Sequence, residues 1–121
     1  MRELNIGTKR YTKVMVLDEP GAGGACHNYK VLPVIPLDAD KKMDFAVIHF
    51  QNGGIQEAGV NGCFNEDLLA IVIDRLQGFQ SGDFKCRENE LAITKIEDAL
   101  HWLNHRTTER AKRGVEGKQI V

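Results

Sequence analysis

Residues 65–113, NEDLLAIVIDRLQGFQSGDFKCRENELAITKIEDALHWLNHRTTERAKR, constrain the fold of this chain more than any other stretch. Apolar residues recur at Leu68, Leu69, Val72, Ile73, Leu76 and Phe79, and again at Leu91, Ile96, Ala99, Leu100 and Leu103. Both sets keep the three-four spacing of an amphipathic helix. The polar break Ser81-Gly82-Asp83 lies between them, so the two helices fold back as an antiparallel hairpin. Asn65 is expected as the N-cap of the first helix, with Glu66 and Asp67 placing negative charge in its first turn. That helix ends near Gly78-Phe79-Gln80. The second begins near Cys86 or Arg87 and runs to about Arg113, stopping before Gly114. A hairpin of two helices is narrow, and association between chains would help it.

The first half of the chain reads differently. YTKVMVLD, Tyr11–Asp18, is a β-branched strand ended by Glu19-Pro20. GAGGACHN, Gly21–Asn28, is a glycine-rich loop. YKVLPVIPL, Tyr29–Leu37, has strand character, and Pro33 and Pro36 confine it to an edge or an irregular extended segment. Asp38–Lys42 is a turn. DFAVIHF, Asp44–Phe50, alternates most clearly. Asn52-Gly53-Gly54 is a hairpin-type turn, and IQEAGV, Ile55–Val60, a further short strand. Met1–Arg10 shows no periodic pattern, and Val115–Val121 reads as a polar tail. Strands first and helices second give an α+β fold: a small N-terminal antiparallel sheet, then a C-terminal antiparallel two-helix hairpin. At 121 residues one domain is expected, with a β-rich part over 1–64, the hairpin over 65–113 and the tail over 114–121.

Sixteen Lys and Arg face seventeen Asp and Glu, for a net charge of −1. A protein that tracks along DNA usually carries a basic excess, so that class is disfavoured. Small anionic ligands need only a local basic patch. No apolar run approaches the roughly 20 residues of a membrane span. MRELNIGTKRYTK lacks the apolar centre of a signal peptide. Cys26, Cys63 and Cys86 are scattered and odd in number, which suits a reducing cytoplasm better than a disulfide framework.

Several local patterns could carry chemistry. GAGGACHN could cradle a phosphate or be a tightly turned or mobile loop; no Gly-Lys-Ser/Thr follows it, and the dinucleotide fingerprint needs a helix directly after. His101 and His105 share a helix face, but Trp102 stands where the zinc-protease pattern needs Glu, and solvated or interface histidines are the plainer reading, so no metal is expected. Cys26 beside His27 points away from it on extended chain, which disfavours a thiol–imidazole pair. Glu66-Asp67 and Glu97-Asp98 fit helix capping and a solvated face. No nucleophile, base and oxyanion donor converge, so no catalytic residue is assigned. Arg106 and Arg110 are more informative. Four apart on the second helix, they project two guanidinium forks to one side, a match for a diphosphate or else a solvated face.

DEPGAGGACHNY from Asp18, AGVNGCFNEDLLAIVIDRLQGFQSG from Ala58, and CRENELAITKIEDALHWLNHRTTERAKRGVEGK from Cys86 together resemble the phage sponge family that counters the bacterial Thoeris defence. That family is similar in its helical hairpin to phage anti-CBASS sponges. The turn-plus-helix pattern RENELAITKIEDALHW is the most specific part. The resemblance implies a non-enzymatic protein of the host bacterial cytoplasm, without a cofactor. It would bind glycocyclic ADP-ribose and hold it intact, so that the downstream effector stays inactive. It also implies binding of cyclic di- and trinucleotides from CBASS, and assembly as dimers or as a hexamer made of three dimers. Carried onto this sequence, the ligand-binding positions are Phe79, Asn89, Arg106 and Arg110. Phe79 offers a face to adenine. Asn89 offers paired donor and acceptor contacts to a base edge or ribose hydroxyl. The two arginines clamp the diphosphate. Core packing explains Phe79 equally well, and capping explains Asn89. Arg87, at the start of the second helix, is assigned to a separate trinucleotide site. The competing classes are an enzyme that cleaves the same signals and a structural adaptor.

One consequence is geometric. Asn89 and Arg106 are seventeen residues apart. On one continuous helix that is about 25 Å, roughly twice the length of a nucleotide signal. Either the helix breaks or an antiparallel partner chain completes the pocket, giving two equivalent pockets per dimer, each lined by both chains.

Overall fold

A computed structural model of the protein describes residues 1–35, 43–118, 120 and 121. The chain divides into two compact units, Met1–Cys63 with Gly117–Gln119, and Phe64–Glu116 with Ile120–Val121.

The first unit is a four-stranded antiparallel sheet in sequence order: β1 (Arg2–Glu3), β2 (Thr12–Val16), β3 (Asn28–Pro33) and β4 (Ala46–His49). The expected strands at 11–18 and 44–50 are present but shorter, and the stretch expected over 29–37 at an edge instead forms β3 inside the sheet, paired on both sides, with Pro33 as its last residue. Pro36, Leu37 and the turn expected at Asp38–Lys42 lie outside the described residues. β1 corrects the reading of residues 1–10 as patternless: Arg2 pairs with Val16 and Glu3 with Met15. Two residues give no period to read, and this strand exists because β2 offers an edge to pair with. Val16 also pairs with Tyr29 of β3, and at 1% exposure it is the centre of this unit. Tyr29 and Phe50 meet edge to face beside it, centroids 5.6 Å apart.

The segment after β4 differs from the sequence expectation. Instead of a hairpin turn and a strand over 55–60, Ile55–Ala58 forms one helical turn, α1, stopped by Gly59 at φ 73°. Side-chain amides supply what a strand ladder would have supplied. The Gln51 carboxamide donates to the Gly53 and Gly59 carbonyls and accepts from the Asn61 N–H. Asn52 and Asn61 exchange two more bonds of 2.8 Å. The chain then returns to pair Cys63 with Phe50 in a parallel bridge. A Cβ on Gly62 would lie 2.5 Å from the Phe50 carbonyl, so only glycine fits that approach.

The second unit is the expected hairpin, α2 (Asn65–Gln80) and α3 (Arg87–Lys112). Its start needs a correction. Asn65 is the first helical residue rather than the cap; Phe64 holds the extended cap position, and the Asp67 carboxylate accepts from the Phe64 N–H at 2.8 Å. A carboxylate at the third helical position reaches back to the cap N–H, so the first turn is held without a polar cap side chain. The turn between the helices is closed by Gln80, whose carboxamide oxygen accepts from the Cys86 N–H at 2.9 Å. α3 ends before Gly114, at φ 74°, as its sequence indicates. Leu69, Ile73 and Leu76 of α2 and Ala92, Ile93, Ile96, Leu100 and Leu103 of α3 are half-buried, and neither helix has a fully buried residue. Among the described residues no helix is long and apolar enough to cross a membrane.

Candidate functional site

Two clusters stand at opposite ends of the hairpin. The turn end holds Phe79, Arg87 and Asn89. Phe79 lies on the flank of α2 beside the seam between the helices and is 36% exposed. With Ile71, Val72, Arg75 and Leu76 it lines a shallow groove of about 240 Å³. The Arg75 guanidinium sits 5.1 Å from the Phe79 ring centroid. This cation–π contact is worth roughly 0.5–1 kcal/mol at an exposed site and orients the ring, with one face covered and one open. Sequence reasoning missed Arg75, although its spacing of four from Phe79 was a readable signal. Asn89 occupies the third position of α3, half-buried on the face turned to the seam. Arg87 is the first residue of α3 and is exposed.

The far end holds Arg106 and Arg110. Arg106 is exposed, and among the described residues its guanidinium has no hydrogen-bond or ion-pair partner. Arg110 is half-buried. Its guanidinium donates to the Val115 carbonyl at 3.1 Å, and the Val115 N–H donates to the Arg110 carbonyl at 3.0 Å. Arg110 therefore also fixes the chain where it leaves α3. The pair is an exposed fork beside an anchored one.

α3 is one uninterrupted helix of 26 residues. Asn89 and Arg106 on it are therefore about 25 Å apart along the axis, and a helix break does not bring them together. Charge is also polarised along it. Residues 87–98 carry Arg87 and Lys95 against Glu88, Glu90, Glu97 and Asp98, a net −2. Residues 99–113 carry Arg106, Arg110, Lys112 and Arg113 against Glu109, a net +3. Glu88 and Glu90 near its start and Arg110 and Lys112 near its end also complement the helix dipole.

The glycine-rich loop is tightly turned, with several of its backbone donors engaged inside the chain. Gly21 N–H donates to the Ala25 carbonyl and Gly24 N–H to the Gly21 carbonyl. The Asp18 carboxylate accepts from the backbone N–H groups of His27 and Asn28 and from the Asn28 side chain. These donors would otherwise be what a phosphate uses. Desolvation pushes the Asp18 carboxyl up, but the His27 and Asn28 hydrogen bonds outweigh it and hold it below the ordinary carboxylate value. His27 is buried, its Nε2–H on the Ala22 carbonyl at 3.0 Å, so its ring is occupied away from Cys26. His101 and His105 stack with centroids 6.4 Å apart and flank Trp102.

Residues 44–108 match the family described as Acb2/Tad1, hairpin domain. The chain belongs to this family. The matched range takes in β4, α1, α2 and most of α3, with Phe79, Arg87, Asn89 and Arg106, and stops two residues short of Arg110. Over 72 residues the chain is 61% identical to a protein of Bacillus phage SBSphiJ7 called Thoeris anti-defense 1. That alignment covers 60% of this chain and 51% of the relative, so the chain spans about half the length of the relative it matches. The matched range includes most of the hairpin, where all five expected ligand residues lie.

Proposed function

We propose that this chain is a phage anti-defence protein that binds glycocyclic ADP-ribose, the Thoeris signal, in pockets shared between two copies and holds it intact. The observation that carries the reading is the unbroken α3, which keeps Asn89 and Arg106 about 25 Å apart on one chain. An antiparallel partner brings the turn end of one hairpin beside the basic end of the other. The charge polarity of α3 supports that direction of pairing, since its acidic first half then faces the basic second half of the partner. Exposed Ile71, Val72 and Phe79 support association as well. Covering each would contribute on the order of 1–2 kcal/mol.

In this pocket Phe79 packs on the adenine with its open face, and Asn89 reads the base edge or a ribose hydroxyl. Arg106 and Arg110 of the other chain take the diphosphate, the second already held in place by Val115. Binding is reversible and involves no covalent step. Abundant protein lowers the free signal below what the effector needs. The site of action is the host bacterial cytoplasm, where the signal is made, and no cofactor, membrane or DNA takes part. Three dimers combine into a hexamer. Cyclic di- and trinucleotides of CBASS are further ligands, the trinucleotides at a site that includes the exposed Arg87 at the start of α3. Thoeris anti-defense 1, the name of the phage relative, supports the Thoeris assignment.

The test is to bind glycocyclic ADP-ribose by calorimetry, heat the complex and chromatograph the supernatant. Intact ligand is expected. Consumed ligand would make the chain an enzyme, and no binding heat at micromolar protein would favour an adaptor.

A further inference from the structure

Beside its basic residues α3 carries a large aromatic group that neither the fold nor the pocket described above uses. Trp102 is 65% exposed on α3, four residues before Arg106 and eight before Arg110. Residues four apart on a helix stand above one another, about 6 Å along the axis and about 40° around it. Trp102, Arg106 and Arg110 thus occupy a single row of positions along the flank of the helix.

The indole is braced. The His101 ring meets it at 5.4 Å and 74°, and the His105 ring at 5.6 Å and 83°. Two edge contacts restrict its rotamer and still leave most of its surface open. What covers it follows from its neighbours in the row. An aliphatic surface would have to desolvate Arg106, which lacks a partner among the described residues. A nucleotide satisfies both groups at once. Its base lies on the ring, and its phosphates lie on the guanidinium forks one turn further on. One helical turn is comparable with the distance from base to phosphate across a ribose.

We propose that Trp102 stacks on the adenine of the bound signal, on the face opposite Phe79 of the other chain. Arg75 already covers one side of Phe79, which leaves that ring a single face to offer. The proposal rests on the shared-pocket reading and adds a residue that selects for a base rather than for a diphosphate alone.

Trp102 is the only tryptophan in the chain, so its emission reports the contact directly. Glycocyclic ADP-ribose should quench it saturably. Inorganic pyrophosphate, which fits the arginines but has no base, should leave it unchanged. Trp102→Ala should weaken the signal on the order of tenfold to a hundredfold, and Trp102→Phe should retain most of the affinity. Native mass spectrometry should show the same oligomer for all three proteins. Unaltered emission and affinity would overturn the proposal, as would quenching by pyrophosphate or dissociation of the Trp102→Ala assembly. Absence of binding heat with wild type would sink the shared-pocket reading and this proposal together. Heat with wild type and an unaffected Trp102→Ala would sink this proposal alone.

Discussion

In the sheet unit Val16 is 1% exposed and His27 8%, whereas neither helix of the hairpin has a fully buried residue. The sheet unit has a small buried centre, although it too leaves Tyr11 71%, Phe45 52% and Val60 74% exposed. Its irregular segments are held by side chains bonded to backbone, Asp18 on His27 and Asn28, and Gln51 and Asn61 around α1. The hairpin leaves Ile71 64% exposed and Trp102 65% exposed. A polar network is satisfied within one chain, but an amphipathic flank is satisfied only by something laid against it. The residues proposed for the ligand all belong to the hairpin, so in the proposed assembly binding and association would depend on the same two helices.

The largest effect should come from placing charge on the open flank of α2. The double variant Ile71→Asp, Val72→Asp should weaken association at least a hundredfold, because two carboxylates would have to be buried without partners. Ligand binding should vanish with it. An unchanged oligomer in light scattering would show that this flank stays free. In the sheet unit the matching test is Gly62→Ala, which forces a methyl against the Phe50 carbonyl. It should cost roughly 1–3 kcal/mol or more in urea unfolding. A midpoint equal to that of wild type would contradict so close an approach.

Arg106→Ala should cost about tenfold or more in affinity for glycocyclic ADP-ribose, by calorimetry, and leave the melting temperature alone. Arg110→Ala should lower both, since its guanidinium also holds Val115. Equal melting for the two variants would remove the distinction drawn between them. The smallest effect is a pH dependence in the sheet unit. Hydrogen bonds from His27 and Asn28 depress the Asp18 carboxyl, so its contribution is fully present above the unfolded value near 4 and lost as pH falls through the lower folded value. Protection factors of the His27 and Asn28 amides, corrected for the intrinsic pH dependence of exchange, should therefore fall in acid. Asp18→Asn should remove that dependence, and persistence of the same acid effect in this variant would assign it to another group.

The hairpin was legible because helix periodicity is repeated over many residues. Its end at Gly114 and its break at 81–83 were readable for the same reason. The segment 52–60 was misread because Asn-Gly-Gly before an apolar residue looks the same before a strand as before a helical turn. Long-range bonds from Gln51 and Asn61 decide it. β1 was invisible because two residues carry no period. Asn65 looked like a cap by residue type alone, but Asp67 reaching back to Phe64 moves the cap by one residue. Phe79 and Asn89 came from family resemblance rather than periodicity, which explains an aromatic as packing and an amide as a capping residue. Arg75 and Trp102 were within reach of spacing rules, four residues from Phe79 and from Arg106, and went unassigned.

The claim that each pocket is built by two chains can be tested by complementation. Asn89→Ala and Arg106→Ala should each weaken binding of glycocyclic ADP-ribose about tenfold or more when expressed alone. Co-expressed and randomly assembled, half of the dimers are mixed, and each mixed dimer regains one of its two pockets with both halves intact. Native mass spectrometry and calorimetry should then recover about one quarter of the wild-type ligand capacity at wild-type affinity. A co-expressed sample that binds as weakly as either variant alone would mean that Asn89 and Arg106 serve one chain's pocket, and would contradict the account.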